Sequence, residues 1–302
     1  MAVIDRARAR VLSPTYTPLP YGLLSVASGQ TEGAGSHWEA GIEYQPDTCA
    51  MAGVTTDNCL DSITKAPTVT GIGARGSNPF TVYAEIQCGP IGSYDEMAAR
   101  TTTALTNGEG RAIERVFWTG VAGGETIHPH LAHDAQVLDS SGVVPIVLQT
   151  AASVLTTGAS IDVTEAVGSL EGALSECYGG EGVLHVPRSA VAHLAANGLV
   201  YRDGQRLRTF GGNLVAAYTS NDCEGPTGAD PAAGQAWFYA TGAVDVRRGP
   251  ISYSSALPEA LNRSENTLAY IAERTVVFTW DCCHFATQVT LGGTITGGAG
   301  VG

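Results

Sequence analysis

Apolar and polar residues alternate with period two in two stretches near the amino-terminal end. Trp38, Ala40, Ile42 and Tyr44 interleave with His37, Glu39, Gly41 and Glu43, and Phe80, Val82, Ala84, Ile86 and Cys88 interleave with Thr81, Tyr83, Glu85 and Gln87. That period turns alternate side chains to one surface, so both runs predict half-buried strands able to pair antiparallel. Between them lie 35 residues, Gln45 to Pro79, rich in Gly, Thr, Ser and Asp. Compact domains seldom carry so long a connection without a use for it.

The period then becomes helical. From Ser93 to Trp118, Met97, Thr101, Ala104, Leu105, Gly108, Ala112 and Val116 recur at i, i+4, i+7 and i+8 spacing, which predicts one long helix with a small-residue stripe. Ser93-x-x-Glu96 opens it as a capping box, the hydroxyl taking one orphan N–H and the carboxylate reaching back to another. Such a helix spans roughly 35 to 40 Å. Gly108 and Gly110 each cost about 1 kcal/mol relative to Ala, so either packing retains them or the helix bends there.

The remaining elements are shorter. Pro14, Pro18 and Pro20 predict an extended arm over residues 11 to 35. Val143 to Leu148, interrupted by Pro145, predicts an edge strand. Asp162-x-x-Glu165 is a second capping box, opening a helix whose Ala166, Val167, Leu170, Leu174 and Tyr178 share a face before Gly179-Gly180. Gly182 to Val186 predicts a buried strand, and Ser189 a cap for a short helix ending at Asn197-Gly198. Leu199 to Thr209 turns at Asp203-Gly204, the composition of a type I′ hairpin. Strands over 213–218, 236–240, 243–247, 274–280 and 284–291 complete the set. Helices and strands are mixed rather than regularly alternating, which is the pattern of an α+β protein.

Composition narrows what such a chain can do. At 302 residues and 44% hydrophobic it can bury a substantial core. Fifteen arginines and one lysine, Lys65, face 29 acidic residues for a net charge of −13, so the surface as a whole would repel duplex phosphates. Arg6, Arg8 and Arg10 make only the amino-terminal arm locally basic. No uninterrupted apolar run approaches the ~20 residues of a membrane span and no charged-then-apolar leader opens the sequence, so an aqueous, cytosolic setting is expected. Seven cysteines, an odd number, predict reduced thiols, with Cys49 and Cys59 the pair best spaced for a late disulfide.

Three clusters invite a chemical reading. His128-Pro129-His130 with His133 lacks a Cys or carboxylate framework at zinc spacing, so a polar loop of three unconnected imidazoles is expected. In Asp281-Cys282-Cys283-His284, neighbours on a strand point to opposite faces, which separates thiol from base and predicts buried small thiols. Gly71-x-Gly73-x-x-Gly76 follows no convincing strand and opens no helix, so with Arg75 and Pro79 it reads as a loop tip and not a phosphate cradle. No catalytic, cofactor-binding or metal-ligating residue emerges, and the expectation is a structural protein, not an enzyme.

The order of parts resembles the major capsid protein of tailed bacteriophages with the Hong Kong 97-type fold. Local runs are similar to those of phages infecting actinobacteria: LPYGLLSV at 19–26, HWEAGIEY at 37–44, FTVYAEIQC at 80–88 and GEGRAIERVFWTG at 108–120, continued by GGEGVLHVPRS at 179–189 and AERTVVFTWDCCHFATQVTL at 272–291. The resemblance implies an amino-terminal arm (1–35), an extended loop lying on a neighbouring subunit (36–92), the spine helix with the first part of the peripheral domain (93–160), an axial domain (161–235) and the rest of the peripheral domain with the tail (236–302). It implies assembly through hexamers and pentamers into an icosahedral head around double-stranded DNA, made in the host cytoplasm. Portal protein, a separate scaffold or decoration protein, and weakly bound DNA would be the other partners. Trp38, Ile42, Tyr44, Phe80, Val82 and Tyr83 would then make the inter-subunit contact of the loop, and Gly108 and Gly110 a bend in the spine. Some relatives cross-link a loop lysine to a neighbour's asparagine. Lys65 with Asn262 or Asn266 and Glu265 is the corresponding set, although a solvated lysine is the expected state. An encapsulin-like shell shares the fold, and a soluble metal-dependent hydrolase built on His128 to His133 is the reading from another class.

Overall fold

The computed structural model describes residues 14, 16–31, 37–46, 73–88, 94–156, 158, 160–219, 223–253, 261–262 and 267–291. Arg6, Arg8, Arg10, Cys49, Cys59, Lys65, Ser93, Glu265, Asn266 and the segment 292–302 lie outside the described residues, as does the side chain of Glu96. The chain begins with α1 (Leu23–Val26), β1 (Ser28–Thr31), a 3₁₀ turn (His37–Ala40), β2 (Ile42–Tyr44), β3 (Arg75–Ser77), β4 (Phe80–Cys88) and the 26-residue spine α2 (Tyr94–Thr119). Next come β5 (Val121–Ala122), β6 (Glu125–Thr126), β7 (Val137–Asp139), β8 (Ile146–Gln149), β9 (Ser153–Val154), α3 (Val163–Cys177), β10 (Val183–Pro187), α4 (Ala190–Ala196), β11 (Val200–Asp203), β12 (Arg206–Thr209) and β13 (Leu214–Tyr218). The chain continues through β14 (Gln235–Thr241), β15 (Val244–Arg248), β16 (Ser252–Tyr253), β17 (Leu261–Asn262), β18 (Thr267–Trp280) and β19 (His284–Thr290).

Two sheets carry the architecture. In the first, the 14-residue β18 pairs antiparallel with β4 over nine residues, from Leu268 opposite Cys88 to Val276 opposite Phe80, and then with β15. In the second, the order is β11-β12-β13-β10-β14-β19-β9. Its central strands are covered on both sides. Val183 of β10, Leu214, Ala216 and Tyr218 of β13 and Tyr239 of β14 join the core around the spine, while Leu184, Val186, Val215, Phe238 and Ala240 pack with α3 and α4. The period-two alternation of a strand thus serves two cores at once. A smaller sheet, β2-β3-β8-β7, lies beside them.

The two amino-terminal apolar runs do form structure, but not with one another. Trp38 and Ala40 lie in the 3₁₀ turn, β2 pairs with β3, and β4 pairs with β18. Equal periodicity marks each run as strand-like and cannot choose its partner. Arg75 and Gly76 belong to β3 and not to a loop tip. A Cβ at Gly76 would lie 2.9 Å from Ile146 and 3.2 Å from the Ile42 carbonyl, so only glycine fits between the two neighbouring strands. For the same reason β8 is an interior strand, flanked by β3 and β7, instead of the expected edge.

The spine follows its stripe only in part. Met97, Thr101, Leu105 and Val116 are buried, whereas Ala104 and Gly108 are exposed and Ala112 is half-buried. The buried line instead continues through Glu109, Ile113, Phe117 and Trp118. Packing does not retain the two glycines, since a Cβ at Gly108 meets nothing within 4 Å and one at Gly110 only Leu24 at 3.9 Å. Thr101, Thr102, Thr103 and Thr106 each donate their hydroxyl to the carbonyl four residues earlier at 2.8 Å, a bonding mode that favours local bending.

In α3 the cap is as the sequence implies: the Asp162 carboxylate accepts from the N–H groups of Thr164 and Glu165 at 2.7 and 2.9 Å. Ser189 differs, sitting in helical conformation before α4 without a side-chain cap bond. The β11–β12 turn also differs. Gly204 has φ of 60° while Gln205 stays outside the positive-φ set, which is the signature of a type II′ and not a type I′ turn. The expected break between residues 235 and 236 falls at the start of β14, whose strand pairs with β10 on one side and β19 on the other.

Because the Gly108 site is open and helical, Gly108→Ala is expected to stabilise the subunit by about 0.5 to 1 kcal/mol, read as a higher urea midpoint at unchanged slope. An unchanged or lower midpoint would show that the glycine is needed for backbone conformation.

Candidate assembly site

The position of the long helix on its two sheets is held by a rigid frame. The frame is set by two carboxylates on the spine. Glu109 is buried and accepts from Arg248 of β15 at 2.8 Å and from Arg274 of β18 at 3.0 Å. One turn on, Glu114 accepts from the Leu23 N–H at 3.2 Å and from the Thr219 N–H and hydroxyl at 2.9 and 2.7 Å. The first clamp fixes the helix over the β4–β18 sheet, and the second joins it to α1 and the end of β13. Neither was expected from the sequence, although an acid in register with Leu105 and Ile113 on a buried line was the available signal.

The strands flanking residues 47–72 are anchored by polar bonds. Tyr44 donates its hydroxyl to the Trp280 carbonyl at 2.6 Å and accepts from Thr279 at 2.5 Å, and burial pushes its pKa up. Arg75 donates to the Asp281 carbonyl at 3.0 Å, Ser77 to the Phe278 carbonyl at 2.5 Å, and the Asn78 N–H to the His128 carbonyl at 2.8 Å. Trp38 is buried against Gly249, and Phe80 and Val82 sit in the subunit's own core. These three, expected from the resemblance at the contact with a neighbouring subunit, are covered within the chain by β18 and the spine. Ile42 is half-buried. On β4 the outward positions are Thr81, Tyr83, Glu85 and Gln87, and Tyr83 remains 65% exposed. Further apolar exposure lies at the β11–β12 hairpin, where Tyr201 and Phe210 stack with centroids 5.4 Å apart, and at the β7–β8 connection with Val143 and Val144.

The histidines are not unconnected. His128, His130 and His133 form a compact triangle of near-parallel rings with centroids 5.0 to 5.4 Å apart. His130 donates Nδ1–H to the Ile127 carbonyl at 2.8 Å, and Gln149 brackets its backbone from both sides, accepting from its N–H and donating to its carbonyl. Among the described residues no group of three His, Cys, Asp or Glu is placed to hold a metal. Nearby, His284 stacks on Tyr239. Deeper still, His185 lies between the Tyr218 hydroxyl and the Thr241 hydroxyl, each at 2.8 Å. Thr241 donates to the Gly242 carbonyl, so His185 donates to Thr241 from Nε2 and accepts from Tyr218 at Nδ1, as a neutral ring. Burial lowers four imidazole pKa values: His130 and His284 to about 4, His185 to about 3, and His128 in the same direction.

The cysteine expectation is also corrected. Cys177 and Cys283 form a disulfide, and Cys282 is disulfide-bonded as well. No helix among the described residues is long and apolar enough to cross a membrane.

Two outcomes follow. Glu109→Ala leaves Arg248 and Arg274 facing each other without a counter-charge and should cost about 3 kcal/mol in a urea titration, with an effect under ~0.5 kcal/mol arguing that the clamp is dispensable. For the histidines, unfolded imidazoles titrate near 6.5 and the folded ones near 3 to 4, so the unfolded state binds more protons in between. Stability is complete above about pH 6.5 and declines as pH falls toward 4; the urea midpoint should drop between about pH 7.5 and 4.5, and drop less in His130→Asn.

No protein-family model matches the chain, and no curated protein matches it in sequence. Solved structures do. The capsid of a native GTA particle aligns over 95% of this chain and 95% of its own at TM-score 0.56 and 12% identity. A chain of Gordonia phage Cozz aligns over 95% and 91% at TM-score 0.53 and 10% identity. The SrpI encapsulin of Synechococcus elongatus aligns over 97% and 96% at TM-score 0.50 and 11% identity. The chain has the Hong Kong 97-type capsid fold, α+β, with α2 as its spine.

Proposed function

We propose that this chain is the major capsid protein of a tailed phage, assembling with copies of itself through hexamers and pentamers into an icosahedral head around double-stranded DNA. The observation that carries the reading is the end-to-end likeness to a particle-forming capsid chain, 95% of each, with neither chain having a large part unmatched. The role is structural and non-enzymatic, placed in the virion after assembly in the host cytoplasm. Portal, scaffold or decoration proteins are the remaining partners, and a basic arm with Arg6, Arg8 and Arg10 would touch the packaged DNA weakly against the chain's net charge of −13.

The subunit's own packing sharpens which loop residues face a neighbour. Trp38, Phe80 and Val82 work as intramolecular anchors, and Tyr44 holds the root through its hydroxyl. Tyr83, on the outward face of β4, is the one of the six with most of its surface to give. Spine bending would centre on the stretch from Thr101 to Gly110, where back-bonding hydroxyls and two unpacked glycines coincide. An encapsulin-like compartment is the second reading, supported by the likeness to SrpI, and the contents of the shell separate the two.

Electron microscopy of the overexpressed protein tests this. Closed shells or capsomer sheets are expected, whereas a uniform monomer at high concentration argues against assembly. Tyr83→Asp should leave the urea midpoint within about 0.5 kcal/mol of the parent while sharply lowering shell yield, since the side chain is outside the subunit core.

A further inference from the structure

Cys177 closes the last turn of α3, and Cys283 lies 106 residues further on, in the turn between β18 and β19, with the two Cα atoms 6.2 Å apart. Hydrogen bonds shape that turn independently of the sulfur bond. The Cys282 N–H donates to the Asp281 carboxylate at 2.9 Å, the Tyr178 hydroxyl donates to the same carboxylate at 3.3 Å, and the Gly242 N–H donates to the Cys282 carbonyl at 3.0 Å. The Asp281 N–H donates to the Ala243 carbonyl at 2.9 Å. A Cβ at Gly242 would lie 2.7 Å from the Cys282 carbonyl, so glycine is what lets these backbones meet. The 6.2 Å between the Cα atoms lies within the span that a disulfide bridges, and the hydrogen bonds that shape the turn do not depend on it. The same turn receives Arg75 at the Asp281 carbonyl, at the root of the extended segment.

We propose that Cys177 and Cys283 are an oxidative staple set after assembly. They are a dithiol while the subunit folds and assembles in a reducing cytoplasm, and become the disulfide when the shell meets an oxidising medium. The inference rests on the capsid reading, which is what carries the chain from one redox compartment to the other. Exposure sets the order of events, since Cys177 is half-buried and Cys283 buried. The Cys177 thiol loses its proton, and the thiolate attacks a low-molecular-weight disulfide, forming a mixed disulfide and releasing one small thiolate. The Cys283 thiol then loses its proton and its thiolate attacks Sγ of Cys177, releasing the second. Two electrons and two protons pass from the cysteines to the reagent, which leaves as two thiols. The product links α3 covalently to the turn that holds the loop root.

Alkylation read by peptide mass tests the staple. Shells from cells lysed directly into iodoacetamide are compared with shells first exposed to glutathione disulfide and then denatured in iodoacetamide without reductant. Cys177 should be alkylated in the first sample, denatured likewise, and protected in the second. Exposed shells should melt several degrees higher, and a phosphine reductant should reverse the gain. Cys177→Ser and Cys177→Ala shells should lose the larger part of the oxidant-dependent shift, any remainder belonging to the separate bond of Cys282, and retain shell geometry; an undiminished shift in both variants counts against the staple. Protection of Cys177 already at lysis, or full alkylation after exposure, overturns the proposal. A chain that forms no shells but still protects Cys177 on exposure defeats the capsid reading and leaves the thiol chemistry standing, so the two failures are told apart.

Discussion

Everything in this subunit is built around the aromatic end of the spine. Phe117 meets Phe278 at 4.9 Å and Trp280 at 5.4 Å in one sheet, and His185 at 5.4 Å and Tyr218 at 6.2 Å in the other. Trp118 continues the contact to Tyr218 and Tyr239, edge to face at 5.1 and 5.2 Å, and donates its indole N–H to the Glu224 carbonyl at 3.0 Å. Two consecutive helical residues point about 100° apart, so a pair of large rings at a helix end can enter two sheets at once. Without that node the β4–β18 sheet and the seven-stranded sheet would share a chain but little core.

Hydrophobic contact alone does not fix how a helix is rotated on a sheet, because it has no direction. Glu109 and Glu114 supply direction. Each carboxylate reaches partners on two different segments, so a rotated or shifted spine would strand a buried charge. The arginines on β15 and β18 and the donors at Leu23 and Thr219 thus turn an apolar stripe into a single register. On the capsid reading proposed above, a frame held this firmly would let every copy present the same outer surfaces, and repeated symmetric contact would make a strong shell from individually weak interfaces.

Burial divides the loop residues by role. On β4 the period of two sends Phe80 and Val82 inward and Tyr83 outward, so neighbouring positions in one strand face the core and the solvent respectively. At the root, polar bonds from Tyr44, Arg75 and Ser77 all land on carbonyls of residues 278 to 281. Those carbonyls lie at and beyond the carboxyl end of β18, and the turn they enter carries both bonded cysteines. The geometry of the loop root and the covalent state of that turn are therefore one problem.

By itself the sequence determined the elements that depend on local physics. The 26-residue spine, the Asp162 cap and the strand character of residues 80 to 88 all follow from period, capping chemistry and side-chain type, which act within a few residues. The order of parts was enough to point to the fold that the solved shells share. Tertiary structure alone decided who pairs with whom: β4 with β18 across almost two hundred residues, Glu109 with two distant arginines, Cys177 with Cys283, and three histidines gathered in one triangle. An alternating run is equally content against any complementary strand, and a cysteine or a carboxylate carries no mark of its partner. Such choices belong to the global packing, and the arrangement adopted buries Phe117 and Trp118 while satisfying both spine carboxylates.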